Sequence, residues 1–221
     1  MNPHVIAILG GTGHEGSGLG LRWAKAGHSI IIGSRAAQKA QAAAAELNGK
    51  LGRDAVRGLD NAAAAQAAEI LVLTVPYGAH AATIESVKDA AQGKIFVDVT
   101  VPLVPPRVSR VQMPAAGSAS QEAQNLLGPA VKVVTAFQNI GAEHLKDAGQ
   151  PIDCDVLVTG TSKQARQEVL KLVEAAGLIG WDAGPIENSV VVEGLTSVLI
   201  NINKQYGSTH AGIRITGVQN M

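Results

Sequence analysis

Apolar residues in this chain come in short unbroken runs, each followed by a segment whose apolar positions recur with helical spacing. The first run is Val5-Ile6-Ala7-Ile8-Leu9. Its β-branched residues suit a strand buried on both faces of a parallel sheet, where neither side meets water. An amphipathic segment begins near Ser17, with Leu19, Leu21, Trp23 and Ala24 among its apolar positions. Comparable runs predict strands over 28–32, 54–59, 70–75, 94–99, 131–137, 156–159 and 178–181. Helical spacing predicts helices over 36–47, 79–91, 163–176 and 190–206, the first of them rich in alanine. Strands alternating with helices of this length imply right-handed βαβ units. The expected fold is α/β: a Rossmann-type doubly wound, mostly parallel sheet with a small C-terminal helical and strand extension around 211–215. Pro76 ends the 70–75 strand because it has no N–H to donate, and Pro102, Pro105, Pro106 and Pro114 make 101–114 a long crossing loop.

Between the first strand and the first helix the apolar run breaks into Gly10-Gly11-Thr12-Gly13-His14-Glu15-Gly16. Gly11, Gly13 and Gly16 fit G-x-G-x-x-G in the strand-to-helix setting that the dinucleotide-binding motif requires. In that reading Gly11 permits the tight turn and Gly13 lets the backbone approach a pyrophosphate. Gly16 lets the helix pack closely on the strand. The phosphates would meet the helix N-terminus, where free N–H groups and the dipole favour negative charge.

The second strand discriminates between dinucleotides. An acidic residue at its end bonds the ribose 2′-hydroxyl of NAD, whereas an arginine there accommodates the 2′-phosphate of NADP. Here the strand ends in Gly33-Ser34-Arg35, with no Asp or Glu until Glu46. Lys39 lies four residues after Arg35, so both cations can face one point on a helix. A hydroxyl, a guanidinium fork and an ammonium suit a phosphate, and NADP is the expected dinucleotide.

Composition removes other classes. Of the 221 residues 46% are hydrophobic and 16% charged, enough apolar material for a large core. Eighteen basic residues balance eighteen acidic ones, and aromatics are 3%. Neither nucleic acid nor an anionic membrane finds an electrostatic footprint in that balance. Cys154 is the single cysteine, which excludes an internal disulfide, fits a reducing compartment and reads as a packed thiol. With no signal-peptide pattern and no run of eighteen apolar residues, the expected location is cytoplasmic.

Taken together, Gly10-Gly11-Thr12-Gly13, Gly16-Ser17-Gly18-Leu19, Ala26-Gly27-His28, Ile32-Gly33-Ser34-Arg35 and Lys39-Ala40 closely resemble the NADPH-dependent reductases of coenzyme F420, an 8-hydroxy-5-deazaflavin. The likeness continues through Leu73-Thr74-Val75-Pro76, Ala183-Gly184-Pro185, Glu193-Gly194-Leu195-Thr196, Leu199-Ile200-Asn201-Ile202-Asn203 and Gly212-Ile213-Arg214-Ile215, and so covers essentially the whole chain. The same domain is similar to the cytosolic portion of some membrane metalloreductases. The resemblance implies hydride transfer between NADP(H) and coenzyme F420, with residues 1–137 as the dinucleotide-binding domain. Residues 138–221 would then close the acceptor cleft, in one compact unit with the first. Gly11, Thr12, Gly13, His14, Glu15 and Gly16 would form the pyrophosphate loop, and Ser34, Arg35 and Lys39 would hold the 2′-phosphate. Thr74, Val75 and Pro76 would line the cleft towards the nicotinamide. Gln138, Asn139, Ile140, Gly141 and Ala142 would contact both ring systems, and Thr196 with the tail at Ala211 and Gly212 would enclose the deazaflavin. A histidine is frequent in the family where this chain has Gln138, so an amide replaces an imidazole there.

No catalytic acid, base or metal site is expected. The six histidines show no metal-ligand spacing, and G-x-S-x-G, C-x-x-C and Y-x-x-x-K are all missing. His14 reads as solvent-facing, His80 as a surface histidine at a helix start, and Asp98 as an isolated carboxylate at a strand end. Hydride exchange between two planar carriers needs stacking and exclusion of water rather than a proton donor. Two alternatives use the same NADP residues: reduction of a flavin or ferric chelate, and a non-catalytic NADP-binding sensor. The apolar surface of the 190–206 helix, with Val190, Val191, Val192, Leu195, Val198, Leu199 and Ile202, predicts a homodimer contact.

Overall fold

The computed structural model describes residues 3–149 and 151–218. Eight strands, β1 (Val5–Leu9), β2 (Ser29–Ser34), β3 (Val56–Asp60), β4 (Ile70–Leu73), β5 (Ile95–Asp98), β6 (Lys132–Thr135), β7 (Asp155–Gly160) and β8 (Ile179–Asp182), form one sheet. Its order is β3-β2-β1-β4-β5-β6-β7-β8, and among neighbours only β6 and β7 run antiparallel. The doubly wound order 3-2-1-4-5-6 is thus extended by a β7–β8 pair.

Alternation along β1 divides the core into two layers. Ile6 and Ile8 pack with α1 (His14–Lys25), α2 (Ala37–Leu51) and α7 (Lys163–Ala175) on one face. Ala7 and Leu9 pack with α3 (Asn61–Ala67), α4 (His80–Val87) and α5 (Ala119–Leu127) on the other. Each large side chain so buried contributes about 1.5–3 kcal/mol, which fixes the register of the central strands. Trp23 is fully buried and donates its Nε1–H to the Leu172 carbonyl at 2.7 Å, tying α1 to α7.

Helix ends depart from the sequence expectation. The first helix starts at His14 rather than Ser17, so Gly16 lies inside its first turn. α4 ends at Val87, and turns occupy most of the remaining stretch to residue 91. The pattern does not announce α3 and α5: α3 buries only Asn61 and two alanines, and α5 buries Ala119, Ser120 and Ala123 before a single large apolar residue, Leu127. Their caps were readable: Asp60 accepts the Ala63 N–H at 2.9 Å, and Ser118 accepts that of Gln121 at 3.0 Å. A single turn, α6 (Ala142–Lys146), is held by buried Arg22, which donates to the carbonyls of His144, Leu145 and Asp147. The last helix, α8 (Ser189–Tyr206), is seated by Ser189, whose Oγ lies 2.7 Å from the hydroxyls of both Thr135 and Thr159. No helix among the described residues is long and apolar enough to cross a membrane.

Candidate functional site

A cleft of about 430 Å³ opens over the carboxyl ends of β1, β2 and β4. In doubly wound sheets this is the side on which ligands bind, because strand ends and helix N-termini converge there. Thr12 and Gly13 line it from the glycine loop, Ser34, Arg35 and Lys39 from the end of β2 and the start of α2, and Thr74, Val75 and Pro76 from the end of β4.

Each glycine of the loop has a distinct constraint. A Cβ on Gly11 would stand 2.7 Å from the Ile8 carbonyl oxygen, so only glycine permits the turn. A Cβ on Gly16 would lie 2.6 Å from the Gly11 Cα and 2.7 Å from Thr74 Oγ1. Gly16 therefore brings α1 against the loop and β4. At Gly13 an added Cβ meets nothing within 4 Å, which leaves the backbone open towards the cleft at the N-cap of α1. Gly11 and Gly16 shape the floor and do not line the cleft themselves.

Ser34 is buried, and its Oγ accepts the Ala36 N–H at 3.3 Å. Arg35 and Lys39 are exposed and have no ion-pair partner among the described residues, so two cations stand unneutralised beside the start of α2. Thr74 donates its hydroxyl to the Leu9 carbonyl at 3.2 Å, joining β4 to β1 beneath the glycine loop. Sequence reasoning missed Asn61, Ala79 and Thr83, which also line this cleft. Asn61 follows β3 directly and its Oδ1 accepts the Gly10 N–H at 3.3 Å, a polar residue at a strand end that could have been flagged.

The remaining loop residues point elsewhere. His14 is exposed, with its Nδ1 2.9 Å from Glu143 of α6, which also pairs with Lys146. Glu15 is half-buried in the first turn of α1, and desolvation pushes its carboxyl up to about 8.

Beyond β6 the chain turns sharply. Phe137 is the one non-glycine residue with positive φ among those described, at 76°, a conformation that bulky side chains hold only under tertiary constraint. Here the constraint is burial, with the ring edge-on to Trp23 at 5.8 Å. The turn delivers Gln138, Asn139 and Ile140 to the wall of a cavity of about 90 Å³, which Thr196 of α8 and Ala211 of the tail also line. Ala142 opens α6 and is not part of that lining. A neighbouring cavity of about 230 Å³ shares Asn139, Gly141, His144 and Ala211 and extends to Cys154 and Gly212. Cys154 is a buried free thiol, as expected, and burial raises its pKa.

Gln138 and Asn139 spend their amide N–H groups inward. Gln138 Nε2 donates to the Asp98 carbonyl at 2.6 Å and Asn139 Nδ2 to the Asp155 carbonyl at 2.7 Å. Their oxygens, Gln138 Oε1 and Asn139 Oδ1, are buried without a protein partner. Two orphaned acceptors in one turn suit a planar ligand that presents N–H donors. The Thr196 hydroxyl donates to the Gln138 carbonyl at 2.8 Å and ties the turn to α8.

The surface position expected for His80 is overturned. Its side chain is buried, and Nε2 lies 2.7 Å from Asp98 Oδ2, also buried. The helix does begin at His80, but its imidazole turns inward to Asp98 at the end of β5, while the next residues, Ala81 and Ala82, are exposed. Burial pulls the imidazole down, yet the Asp98 hydrogen bond and charge, with Glu122 and Glu193 behind them, outweigh it and raise its pKa. No group of three or more His, Cys, Asp or Glu side chains suited to a metal occurs among the described residues.

Residues 5–102 match the family model described as NADP oxidoreductase, coenzyme F420-dependent. The chain is 39% identical over 222 residues to the F420-dependent NADP reductase of Methanocaldococcus jannaschii, covering 97% of this chain and 99% of that one. It is 41% identical over 220 residues to the enzyme of the same name from Methanothermobacter marburgensis, covering 96% and 98%. A crystal structure from Arthrobacter sp. fb24, assigned as an F420-dependent NADP-reductase, superposes with a TM-score of 0.78 at 27% identity. That likeness covers 97% of this chain and all of the other.

Proposed function

The chain belongs to the family of F420-dependent NADP reductases, and from that premise we propose that it moves a hydride between NADP(H) and coenzyme F420 across the two facing halves of its cleft. The observation that carries this reading is the pair of unneutralised cations, Arg35 and Lys39, beside a glycine loop whose Gly13 is open. Ser34, Arg35 and Lys39 would hold the 2′-phosphate. Thr12 and Gly13 would hold the pyrophosphate at the α1 N-terminus, with Gly11 and Gly16 shaping the loop and His14 and Glu15 at its edge. Thr74, Val75 and Pro76 would line the path to the nicotinamide.

The acceptor half would be formed by residues 138–221, of which 150 and 219–221 lie outside the described residues. Gln138, Asn139, Ile140 and Ala142 would supply the turn against the deazaflavin, Thr196 would brace it from α8, and Ala211 would close it from the tail. Both coenzymes carry two electrons as hydride, and the chemistry is theirs. The protein's work is to hold the two rings in attack geometry and keep water out, which is worth about 7–11 kcal/mol. No side chain is assigned as acid or base. The protein would act in the cytoplasm as a homodimer, joined through the exposed face of α8 that carries Val191, Val198 and Ile202.

The test is to mix the purified protein with NADPH and oxidised coenzyme F420 and follow loss of the deazaflavin's visible absorbance. Rapid bleaching with NADPH and little with NADH is the expected result. Intact NADPH binding without bleaching would leave a sound NADP half with a different acceptor, such as a flavin or ferric chelate.

A further inference from the structure

Across the sheet, one row of paired positions runs Gly33, Leu9, Leu73, Asp98, Thr135. The row is aliphatic where β1 meets β4 and becomes polar at β5, where Asp98 is fully buried. Replacing a buried ion pair with packed hydrophobic residues is commonly neutral or stabilising, so stability alone does not explain a carboxylate here.

Its contacts reach towards both halves of the cleft. Asp98 Oδ1 accepts the Thr100 N–H at 3.0 Å, and the Thr100 hydroxyl donates to the Val75 carbonyl at 3.3 Å, with Val75 lining the NADP cleft. The Asp98 carbonyl accepts from Gln138 at 2.6 Å, and Gln138 lines the acceptor cavity. An unbroken chain of hydrogen bonds, Val75–Thr100–Asp98–Gln138–Thr196, therefore crosses the ends of β4, β5 and β6 between the two sites. His80 grips the remaining carboxylate oxygen from α4.

We propose that Asp98, held by His80, is a positioning residue for hydride transfer: it fixes the turn after β5 and thereby the span between the NADP-lining end of β4 and the acceptor-lining turn after β6. The inference rests on the hydride-transfer reading, whose own failure would show as a wild-type protein that does not bleach coenzyme F420. Charged or titratable groups face His80 from every packed element: Asp98 from β5, Glu122 from α5, Glu193 from α8, and Tyr77, whose ring centroid is 6.0 Å away and whose hydroxyl bonds Glu122. Because these carboxylates raise the imidazole pKa, the charged pair persists above the usual histidine range and is lost at higher pH.

The experiment is single-turnover hydride transfer from saturating NADPH to saturating coenzyme F420, with NADPH affinity measured separately by fluorescence. Asp98→Ala should slow transfer about 10- to 100-fold while NADPH affinity changes by no more than about 2-fold, since a small misplacement of reacting atoms is costly. Thr100→Val, a milder lesion in the same chain, should slow transfer less. Asp98→Asn keeps an oxygen for the Thr100 N–H and should restore most of the rate at pH 7. It should also lack the decline at alkaline pH expected of the wild type. Wild-type transfer in Asp98→Ala, or a loss of rate matched by loss of NADPH affinity, would overturn the proposal. If Asp98→Ala does not fold, an alkaline decline unchanged in both Asp98→Asn and His80→Gln overturns it equally.

Discussion

Glu193 Oε2 lies 2.7 Å from the backbone nitrogen of Ala119, and its other oxygen lies 3.0 Å from that of Ser120. A fully buried carboxylate on α8 thus caps the first turn of α5, a contact that locks the two helices together. Burial, with Asp98 nearby, raises its pKa from an ordinary 4.5 to about 7 despite the two N–H bonds.

A group whose folded pKa is raised contributes stability that is present at low pH and is lost as pH climbs from its unfolded pKa through its folded one. For Glu193 the window runs from about 4.5 to about 7 and the loss amounts to about 3 kcal/mol. Glu193→Gln cannot ionise and loses one acceptor, so it should be less stable than wild type at pH 5, with the gap narrowing by pH 8. Urea unfolding across that range measures it. Parallel curves for the two proteins would show that Glu193 does not titrate there.

Two glycines of the loop, Gly13 and Gly16, should respond in opposite ways. Gly13→Ala adds a methyl into open space and should leave the melting temperature unchanged while weakening NADPH binding about 10-fold or more, because the pyrophosphate needs that space. Gly16→Ala forces a methyl to 2.6 Å from the Gly11 Cα and should destabilise the fold by about 1–3 kcal/mol before any ligand is added. Thermal unfolding and a fluorescence titration on each variant separate the two effects. Equal stability losses would mean the loop is uniformly packed.

This contrast also shows what the chain reveals of itself. All eight strands lie within two residues of the expected limits; most carry a run of branched apolar residues, whereas β3 and β8 hold only two large apolar residues each. The proposed NADP half rests on glycines and cations at fixed offsets along the chain, as phosphate recognition requires, and Gly13, Ser34, Arg35 and Lys39 do converge on one cleft. His80 was misread because its partner lies eighteen residues away in another element, and only sheet packing brings Asp98 to 2.7 Å. Glu193 and Ala119 are 74 residues apart, so no local pattern announces their bond. Helices built on alanine, such as α3, carry no large apolar stripe and leave only their caps as a signal.

Association should depend on α8. Val191 is 67% exposed and Val198 45%, although both lie on a helix whose other face buries Val192 and Leu199. Light scattering at micromolar concentration should give twice the 22.7 kDa chain mass, and Val191→Lys should return the monomer. A monomeric wild type removes the interface.

Glu15 should make NADPH binding sensitive to alkali. Below about 8 its carboxyl is protonated and places no charge beside the phosphate loop, whereas above that pH an anion appears at the α1 N-terminus. Affinity for NADPH should therefore weaken between pH 7 and pH 9 in the wild type and stay level in Glu15→Gln, which keeps the shape without the charge. Fluorescence titration at each pH reads this directly, and an equal decline in the variant would assign the effect to another group.

Coenzyme selectivity should reside in Arg35. Its guanidinium has no ion-pair partner among the described residues and stands at the cleft beside Ser34 and Lys39, so a 2′-phosphate would be its counter-charge. Losing one charge-assisted contact costs about 1.5–3 kcal/mol, which corresponds to a rise of roughly 10- to 150-fold in the NADPH KM for Arg35→Ala. NADH lacks the phosphate, and its KM should hardly move. Lys39→Ala should act in the same direction but less strongly, because an ammonium is a point charge without the bidentate fork. Steady-state kinetics with both coenzymes decides the matter: equal effects of Arg35→Ala on NADPH and NADH would place the 2′-phosphate elsewhere.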